Sequence, residues 1–268
     1  MKRSARIVDL TYQLLSHPQQ VLSLNQFADR YQAAKSSISE DLAIVKAVLE
    51  TEGRGRLETL VGATGGVRYQ PRMESWEQER FLRELCDQIA QSERVLPGGY
   101  LYLSDLLGHP KWIFPLGLMI ASHFAESGVD AIMTIETKGI PLAYATAFYM
   151  HLPVVIVRRN SRVTEGSFVS INYLSGSSRQ IQTMSLSRRS LRDGARVLIV
   201  DDFMKAGGTV QGMKELLLEF EAQLAGVAVF VEAVYPSAVR VAQPDFSVLR
   251  LTEVDQVSRR VEVQPGLL

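Results

Sequence analysis

The sequence is poor in several features that would point to a particular class of protein. It has 1 cysteine, Cys86, in 268 residues, so neither an internal disulfide nor a multi-cysteine zinc site can form. This cysteine usage fits the reducing cytoplasm. Lys plus Arg and Asp plus Glu both number 29, so no overall basic excess indicates nucleic-acid binding, and any such surface must be local.

Long hydrophobic runs are also missing. The most apolar stretch, residues 112–124, contains a proline and a glycine and is shorter than the ~20 residues of a membrane span. Lys2, Arg3 and Arg6 lie where a signal peptide needs an apolar core. With 46% hydrophobic and 22% charged residues the composition is that of a globular domain, so we expect a cytoplasmic protein without a membrane partner.

Helical periodicity dominates residues 1–53. Apolar residues recur at helical spacing as far as His17, and again over residues 24–31. A third helix is predicted to open at a capping box of Ser37 and Glu40 and to end at Gly53. The side chains expected on its apolar face are Ile38, Leu42, Val45, Val48 and Leu49.

A β-hairpin is predicted next, because alternating runs at 57–61 and 67–70 flank a glycine-rich turn. Three helices and a hairpin are the layout of a winged helix-turn-helix domain, which binds the major groove and the phosphates of DNA. The candidate DNA-binding residues are Lys2, Arg3 and Arg6 in an N-terminal arm, Lys35, Ser36, Ser37 and Ser39 around the third helix, and Arg54, Arg56 and Arg68 in the wing. A solvated basic face on an ordinary three-helix domain is the alternative.

The remainder of the chain alternates strands and helices. A long helix after residue 74 is expected to lead from a domain at 1–74 into a domain at 75–268, with Trp76, Phe81, Leu85 and Ile89 on its core face. Short apolar runs then predict strands at 100–103, 131–135, 154–157, 197–200 and 227–231, and helices at 111–127, 139–151 and 209–222. This alternation predicts an α/β fold with a parallel sheet flanked by helices.

Residues 158–196 interrupt the alternation with 8 arginines. This polar stretch predicts a loop that includes a hairpin over residues 168–173. Most of its arginines are expected to be solvated. Arg158, directly after a strand, is the candidate ligand residue among them.

The strongest motif runs from Val197 to Thr209. A buried strand delivers two adjacent carboxylates, Asp201 and Asp202, to its carboxyl end, where open α/β sheets bind ligands. A loop of small residues leads directly into a helix, so backbone N–H groups and the helix N-terminus can hold a phosphate. A phosphorylated sugar suits both parts, since its hydroxyls can bind the carboxylates. The alternative is an ordinary strand end followed by a turn.

This segment closely resembles the phosphoribosyl pyrophosphate (PRPP) motif of type I phosphoribosyltransferases, and the resemblance spans about residues 75–262. It implies that Asp201 and Asp202 bind the ribose hydroxyls. The implied 5′-phosphate ligands are Lys205, Ala206, Gly207, Gly208 and Thr209. Phe203, which directly follows the acid pair, is a further candidate residue of the effector site. A second segment, 134–141, resembles the family's pyrophosphate loop and adds Thr137, Lys138 and Gly139. Phe203, Tyr100 and Tyr102 are candidates either to stack on a flat ligand or to pack in the core.

Two departures from the transferases bear on activity. Hypoxanthine-type enzymes have a catalytic aspartate at the position of Lys205, and a lysine cannot replace it. Adenine-type enzymes have a phosphate-binding threonine at the position of Ala206. Both changes weaken the expectation of an enzyme without excluding one.

The whole chain resembles the purine operon repressors of Gram-positive bacteria, through residues 35–42, 96–100, 138–143 and 201–209. The resemblance implies a homodimeric repressor of purine biosynthesis genes that leaves duplex operator DNA when PRPP binds. The resemblance also implies that the protein neither catalyses a reaction nor needs a cofactor. Protein side chains alone are not expected to hold a metal ion, and magnesium is expected to bind together with PRPP. Whether purine nucleotides compete with PRPP stays open. The alternatives are a xanthine-type phosphoribosyltransferase with an accessory N-terminal domain and an RNA-binding regulator.

Overall fold

The computed structural model describes residues 1–62, 65–159, 166–174, 181–234 and 240–267. The chain divides into two compact units, one of Met1–Glu77 with Phe148–His151 and the other of Gln78–Ala147 with Leu152–Leu268. Arg162 and Arg179 of the arginine-rich stretch lie outside the described residues. Among the helices that the structure describes, none has the length and apolar character to cross a membrane.

The N-terminal unit has the winged-helix layout that the sequence predicts. Its elements are α1 (Arg3–Ser16), β1 (Val21–Ser23), α2 (Leu24–Tyr31), α3 (Lys35–Thr51), β2 (Arg56–Leu60) and β3 (Gly66–Gln70). The three helices and the hairpin are confirmed. Strand β1 was not predicted, and it pairs with β3 to complete a three-stranded antiparallel sheet. The core joins the inner faces of all three helices to Leu57 and Val67 of the wing.

Helix α3 corrects two sequence predictions. It begins at Lys35 after Ala34, so Ser37 lies inside the first turn and the capping box with Glu40 does not form. Val48 is 56% exposed rather than buried. At 3.6 residues per turn, Val48 points roughly 80° away from the direction of Ile38, outside the apolar stripe. Asp41 takes a buried position on the flank of that stripe instead.

Helix α4 (Ser75–Ile89) spans the boundary between the two units in the chain. Its residues 75–77 belong to the N-terminal unit, and the C-terminal unit begins at Gln78. The further helices are α5 (Ser104–Leu107), α6 (Pro110–His123), α7 (Gly139–Met150) and α8 (Gly208–Leu218). The strands are β4 (Val95–Leu96), β5 (Tyr100–Leu101), β6 (Ala131–Ile135), β7 (Val154–Val157), β8 (Phe168–Leu174), β9 (Ile181–Ser187), β10 (Arg196–Met204), β11 (Gln223–Ala233), β12 (Phe246–Asp255) and β13 (Arg260–Pro265).

The central sheet has the strand order β13-β12-β11-β10-β6-β7. Every neighbouring pair is parallel except β12 with β13, so the predicted parallel α/β sheet is confirmed. Strands β8 and β9 pair antiparallel apart from the central sheet. The hairpin predicted within 168–173 is corrected, because that segment forms only the strand β8 and its partner β9 was not predicted. Helix α8 packs on β8, β10 and β11 and closes the core over the strand that carries the acid pair.

Two further expectations for this unit are wrong, and two strands were missed. The run 100–103 contributes only β5, which pairs antiparallel with β4 outside the central sheet, because Gly98 and Gly99 turn the chain back with positive φ. On α4, Trp76 is 59% exposed and Phe81 is half-buried, whereas Leu82 joins Leu85 and Ile89 in the core. Strands β12 and β13 were not predicted, since polar residues interrupt their apolar pattern.

Candidate functional site

The acid pair lies at the carboxyl edge of the central sheet, between two neighbouring strands. Residues Val197 to Val200 of β10 are fully buried between β6 and β11, and the chain then reaches Asp201 and Asp202. Asp201 is 4% exposed and Asp202 is half-buried. The backbone N–H of Asp202 donates a hydrogen bond to Oδ1 of Asp201 at 2.9 Å. The strand therefore holds one carboxylate inside the protein and the next one at its surface.

The electrostatics of this pair are unfavourable for an ionised Asp201. Burial raises the pKa of Asp201 well above its ordinary value, and the neighbouring Asp202 carboxylate raises it further. Arg159 acts in the opposite direction. A ligand that donates hydroxyl hydrogens or brings a cation would stabilise the ionised carboxylates.

The second predicted motif meets the acid pair directly. Gly139 begins α7, and a Cβ built on it would lie 2.4 Å from Thr134 Oγ1 and 3.2 Å from Asp201 Oδ1, so a side chain does not fit there. Thr134 is fully buried, and its hydroxyl has no hydrogen-bond partner among the described residues. Thr137 and Lys138 are exposed immediately before α7. Two motifs that are distant in sequence thus share one site.

The loop after the acid pair is closely packed at its glycine. Gly207 precedes α8 with φ +82°, a conformation that favours glycine, and a Cβ on it would lie 2.7 Å from the carbonyl oxygen of Ala242. Gly208 is the first residue of α8, Thr209 and Ala206 are half-buried, and Lys205 is exposed. Helix α8 consequently begins 6 residues after Asp202 in the chain.

Arg158 is already engaged with protein groups. Its Nη1 lies 3.5 Å from Glu136 Oε2, and its backbone exchanges hydrogen bonds with Ser185. Glu136 also accepts a hydrogen bond from the backbone N–H of Arg159 at 2.8 Å. Sequence reasoning missed Glu136 and Arg159, although an acid inside the predicted pyrophosphate loop was a visible signal.

The three aromatic candidates differ in environment. Tyr100 is 66% exposed and Tyr102 is 45% exposed, so core packing is the wrong interpretation for both. Phe203 is half-buried directly after the acid pair. Its role towards a ligand remains a prediction.

The N-terminal unit presents part of the predicted DNA-binding set on its surface. Lys35 and Ser36 in the first turn of α3, and Ser39 one turn later, are exposed, while Ser37 is half-buried. Ser39 donates its hydroxyl hydrogen to the carbonyl of Lys35 at 3.0 Å. Lys2, Arg54 and Arg56 are also exposed, and Arg54 lies 3.7 Å from Glu77.

The predicted N-terminal arm is corrected by the structure. Arg3 and Arg6 lie in α1, and both donate side-chain hydrogen bonds to the buried carboxylate of Asp41. The Arg6 side chain is only 12% exposed. In the wing, Arg68 is paired with Glu58 across neighbouring strands. These three arginines stabilise the domain through ion pairs with Asp41 and Glu58. The amino-acid composition does not show which acid pairs with which arginine.

Comparison with known proteins gives the same division of the chain into two parts. A family described as bacterial purine repressor, N-terminal, matches residues 2–71, and the phosphoribosyl transferase domain family matches residues 105–264. An adenine phosphoribosyl transferase structure from Trypanosoma brucei aligns with a TM-score of 0.53 and 16% identity, covering 63% of this chain and 78% of that one. This structural likeness shows the fold alone.

Two relatives match over nearly the full length. The purine biosynthesis transcriptional repressor PurR of Bacillus subtilis (strain 168) is 52% identical over 265 residues, 99% of this chain and 93% of that protein. The purine biosynthesis transcriptional activator PurR of Lactococcus lactis subsp. lactis (strain IL1403) is 46% identical over 266 residues, 99% of this chain and 98% of that protein. The chain therefore belongs to the family of bacterial purine biosynthesis transcriptional regulators, in which a purine-repressor N-terminal domain precedes a phosphoribosyltransferase domain.

Proposed function

We propose that this chain is a homodimeric, DNA-binding repressor of purine biosynthesis genes, and that PRPP at the acid-pair site relieves it from the operator. The observation that carries the proposal is the contact between the two ligand motifs, where a Cβ on Gly139 would lie 2.4 Å from Thr134 Oγ1 and 3.2 Å from Asp201 Oδ1. We favour repression over activation because, of the two relatives named above, the repressor is the more similar.

The residues at the site fit the parts of PRPP. The ribose hydroxyls donate to Asp201 and Asp202, which stabilises the ionised form of Asp201 against the burial and the neighbouring carboxylate that raise its pKa. The 5′-phosphate accepts from the backbone N–H groups between Ala206 and Thr209 at the start of α8. The pyrophosphate group binds beside Lys138, and the magnesium ion that accompanies PRPP offsets its charge.

The same site is proposed to sense PRPP rather than to transfer its ribose. Lys205 stands at the exposed start of the phosphate loop. An ammonium group donates hydrogen bonds and accepts none, so it binds phosphate but does not act as a base on a purine. Ligand-binding groups are thus retained where an acid–base group is missing.

DNA binding is assigned to those residues of the predicted set that are exposed and do not bind the buried Asp41. Lys35, Ser36 and Ser39 enter the major groove from the start of α3, and Lys2, Arg54 and Arg56 contact phosphates. The buried Asp41 holds Arg3 and Arg6 on α1 and thereby fixes α1 against α3.

Relief by PRPP requires a difference in affinity between two states. A ligand shifts an equilibrium only as far as it binds one state more tightly than the other, and DNA must weaken PRPP binding by the same factor. PRPP is therefore proposed to bind the DNA-free form more tightly.

The decisive experiment is a fluorescence-anisotropy titration of labelled duplexes from the upstream regions of purine biosynthesis genes, with and without PRPP and magnesium. We expect tight binding that PRPP weakens, and no comparable binding to a shuffled duplex or to RNA of the same sequence. DNA binding that is indifferent to PRPP would contradict relief. Pyrophosphate release from PRPP and xanthine, without specific DNA binding, would support the transferase alternative instead.

A further inference from the structure

A buried ionic cluster lies beside the phosphate loop and is not explained by ligand binding. Glu232 is 2% exposed near the end of β11, in register with Met204 of β10, the last residue before the loop. Its Oε1 lies 2.7 Å from Nη2 of Arg240, and its Oε2 lies 3.7 Å from Nε of Arg250. Ser247 donates its hydroxyl hydrogen to Oε2 at 3.1 Å. A buried carboxylate of this kind is stable only while its partners remain.

The partner Arg240 begins a segment that contacts the phosphate loop. The backbone N–H of Val241 donates to the carbonyl oxygen of Ala206 at 2.9 Å. Ala242 is buried against Gly207, at a distance that leaves no room for a Cβ on the glycine. Residues 240–242 therefore contact the loop at Ala206 and Gly207, and the ion pair anchors this segment to the central sheet.

We propose that Glu232 and Arg240 are positioning residues of the effector site. Their ion pair holds residues 240–242 against Ala206 and Gly207, which keeps the backbone donors of the loop in the arrangement that receives the 5′-phosphate of a sugar phosphate. Neither side chain needs to touch the ligand. This inference rests on the proposed function, since it assigns to the loop the phosphate of PRPP.

The proposal predicts a selective loss. Weakening the anchor affects ligands that carry a 5′-phosphate, namely PRPP and ribose 5-phosphate. Pyrophosphate with magnesium is expected at the separate loop around Lys138, so its affinity should not change. General unfolding would weaken all three ligands together, and this difference separates positioning from a merely structural role.

The test is isothermal titration calorimetry on the full chain with PRPP, ribose 5-phosphate and magnesium pyrophosphate. In the double variant Glu232→Gln/Arg240→Gln no buried carboxylate is left without its partner, so folding is preserved better than in either single variant. We expect PRPP and ribose 5-phosphate to bind roughly tenfold more weakly, which is the size of effect that interacting residues in contact usually have on one another. Pyrophosphate should bind as in the wild type.

Two further variants sharpen the result. Arg240→Lys keeps the positive charge and should retain most of the PRPP affinity of the wild type, unlike the double variant. Arg250→Gln removes the other, more distant arginine of the cluster, for which no contact with the loop is described, and should bind PRPP normally.

The outcomes distinguish the two proposals. A wild-type chain that binds neither PRPP nor ribose 5-phosphate overturns the proposed function and this inference with it. A wild-type chain that binds both, with a double variant that binds them equally well or loses pyrophosphate to the same extent, overturns the positioning role alone. If the double variant fails to fold, the single variants decide. The inference is supported if Arg240→Gln binds PRPP more weakly than the wild type, while Arg240→Lys and Arg250→Gln bind PRPP as the wild type does. It is overturned if Arg240→Gln binds PRPP as tightly as the other three proteins.

Discussion

Each of the two units buries one aspartate near its functional surface, and the two carboxylates are held in opposite ways. Asp41, fully buried in α3, accepts hydrogen bonds from Arg3 and Arg6. Burial by itself would raise the pKa of Asp41, but the hydrogen bonds from Arg6 and Arg3 outweigh it and lower the pKa below its ordinary value. Asp201 is buried to a similar extent, yet burial and Asp202 raise its pKa.

The difference distinguishes a structural carboxylate from a ligand-binding one. Asp41 finds its compensating charges inside its own domain, so folding alone satisfies it. Asp201 has the Asp202 carboxylate beside it and a raised pKa, and in the function proposed above the compensation comes from the bound ligand. Burial is thus a poor guide to function unless the partners of the buried group are known.

The largest effect is expected from Asp41→Asn. The change leaves the largely buried Arg6 without its ionic partner, which should destabilise the N-terminal unit by about 3 kcal/mol. Hydrogen exchange of the α1 and α3 amides, measured by mass spectrometry on the full chain, reports this unit separately. Asp9→Asn is the matched control, because Asp9 pairs with the half-exposed Arg30 and an asparagine oxygen can still accept the hydrogen bond from Tyr31, so the loss of stability should be smaller. Equal protection in Asp41→Asn and wild type would show that Asp41 is not a structural anchor.

Asp202→Ala should produce a protein that binds operator normally but is no longer released by PRPP. A hydrogen bond to a charged group contributes ~1.5–3 kcal/mol, so PRPP should bind roughly tenfold to over a hundredfold more weakly. A DNA titration at rising PRPP concentrations measures both properties. If PRPP releases the variant from operator DNA at the same concentration as the wild type, Asp202 does not bind the effector.

Arg56→Ala and Lys35→Ala should each weaken DNA binding several-fold and reduce its salt dependence by about one released counterion. PRPP binding should be unchanged, because both residues lie in the N-terminal unit. Arg68→Ala is the informative comparison, since Glu58 already neutralises that side chain and DNA affinity should change less. Anisotropy titrations between low and moderate salt test this order, and a larger loss for Arg68→Ala would reverse the assignment.

The smallest effect is a gain of stability in Asp201→Asn. Because the pKa of Asp201 is raised on folding, its ionisation opposes folding above the ordinary aspartate pKa of about 4. The variant should therefore melt a few degrees higher at pH 7, and the difference should vanish towards pH 4. Asp41→Asn should behave oppositely, since a lowered pKa stabilises at neutral pH and that contribution is lost only in stronger acid. Thermal unfolding of both variants from about pH 2 to pH 8 compares them directly.

Much of the fold follows from local patterns. Helices α1 and α2, the wing hairpin and strands β6, β7 and β10 were predicted because their apolar residues recur at the period of the element itself. The acid pair and the glycines of the phosphate loop were found for the same reason, since the chemistry lies within consecutive residues after one strand. Strand β1 and strands β12 and β13 were missed because partners distant in sequence, rather than strong periodicity, stabilise them.

The sequence by itself determined the two-domain organisation, the parallel sheet and the position of the acid pair, because hydrophobic periodicity and motif order are properties of neighbouring residues. Only the tertiary structure decided which charges are satisfied. It placed Asp41 against Arg3 and Arg6, Glu232 against Arg240, and Asp201 against Gly139 with no basic partner at hydrogen-bond distance among the described residues. Each of these contacts joins separate elements of the fold. The free energy of a buried charge depends on those distant partners, which no pattern along the chain records.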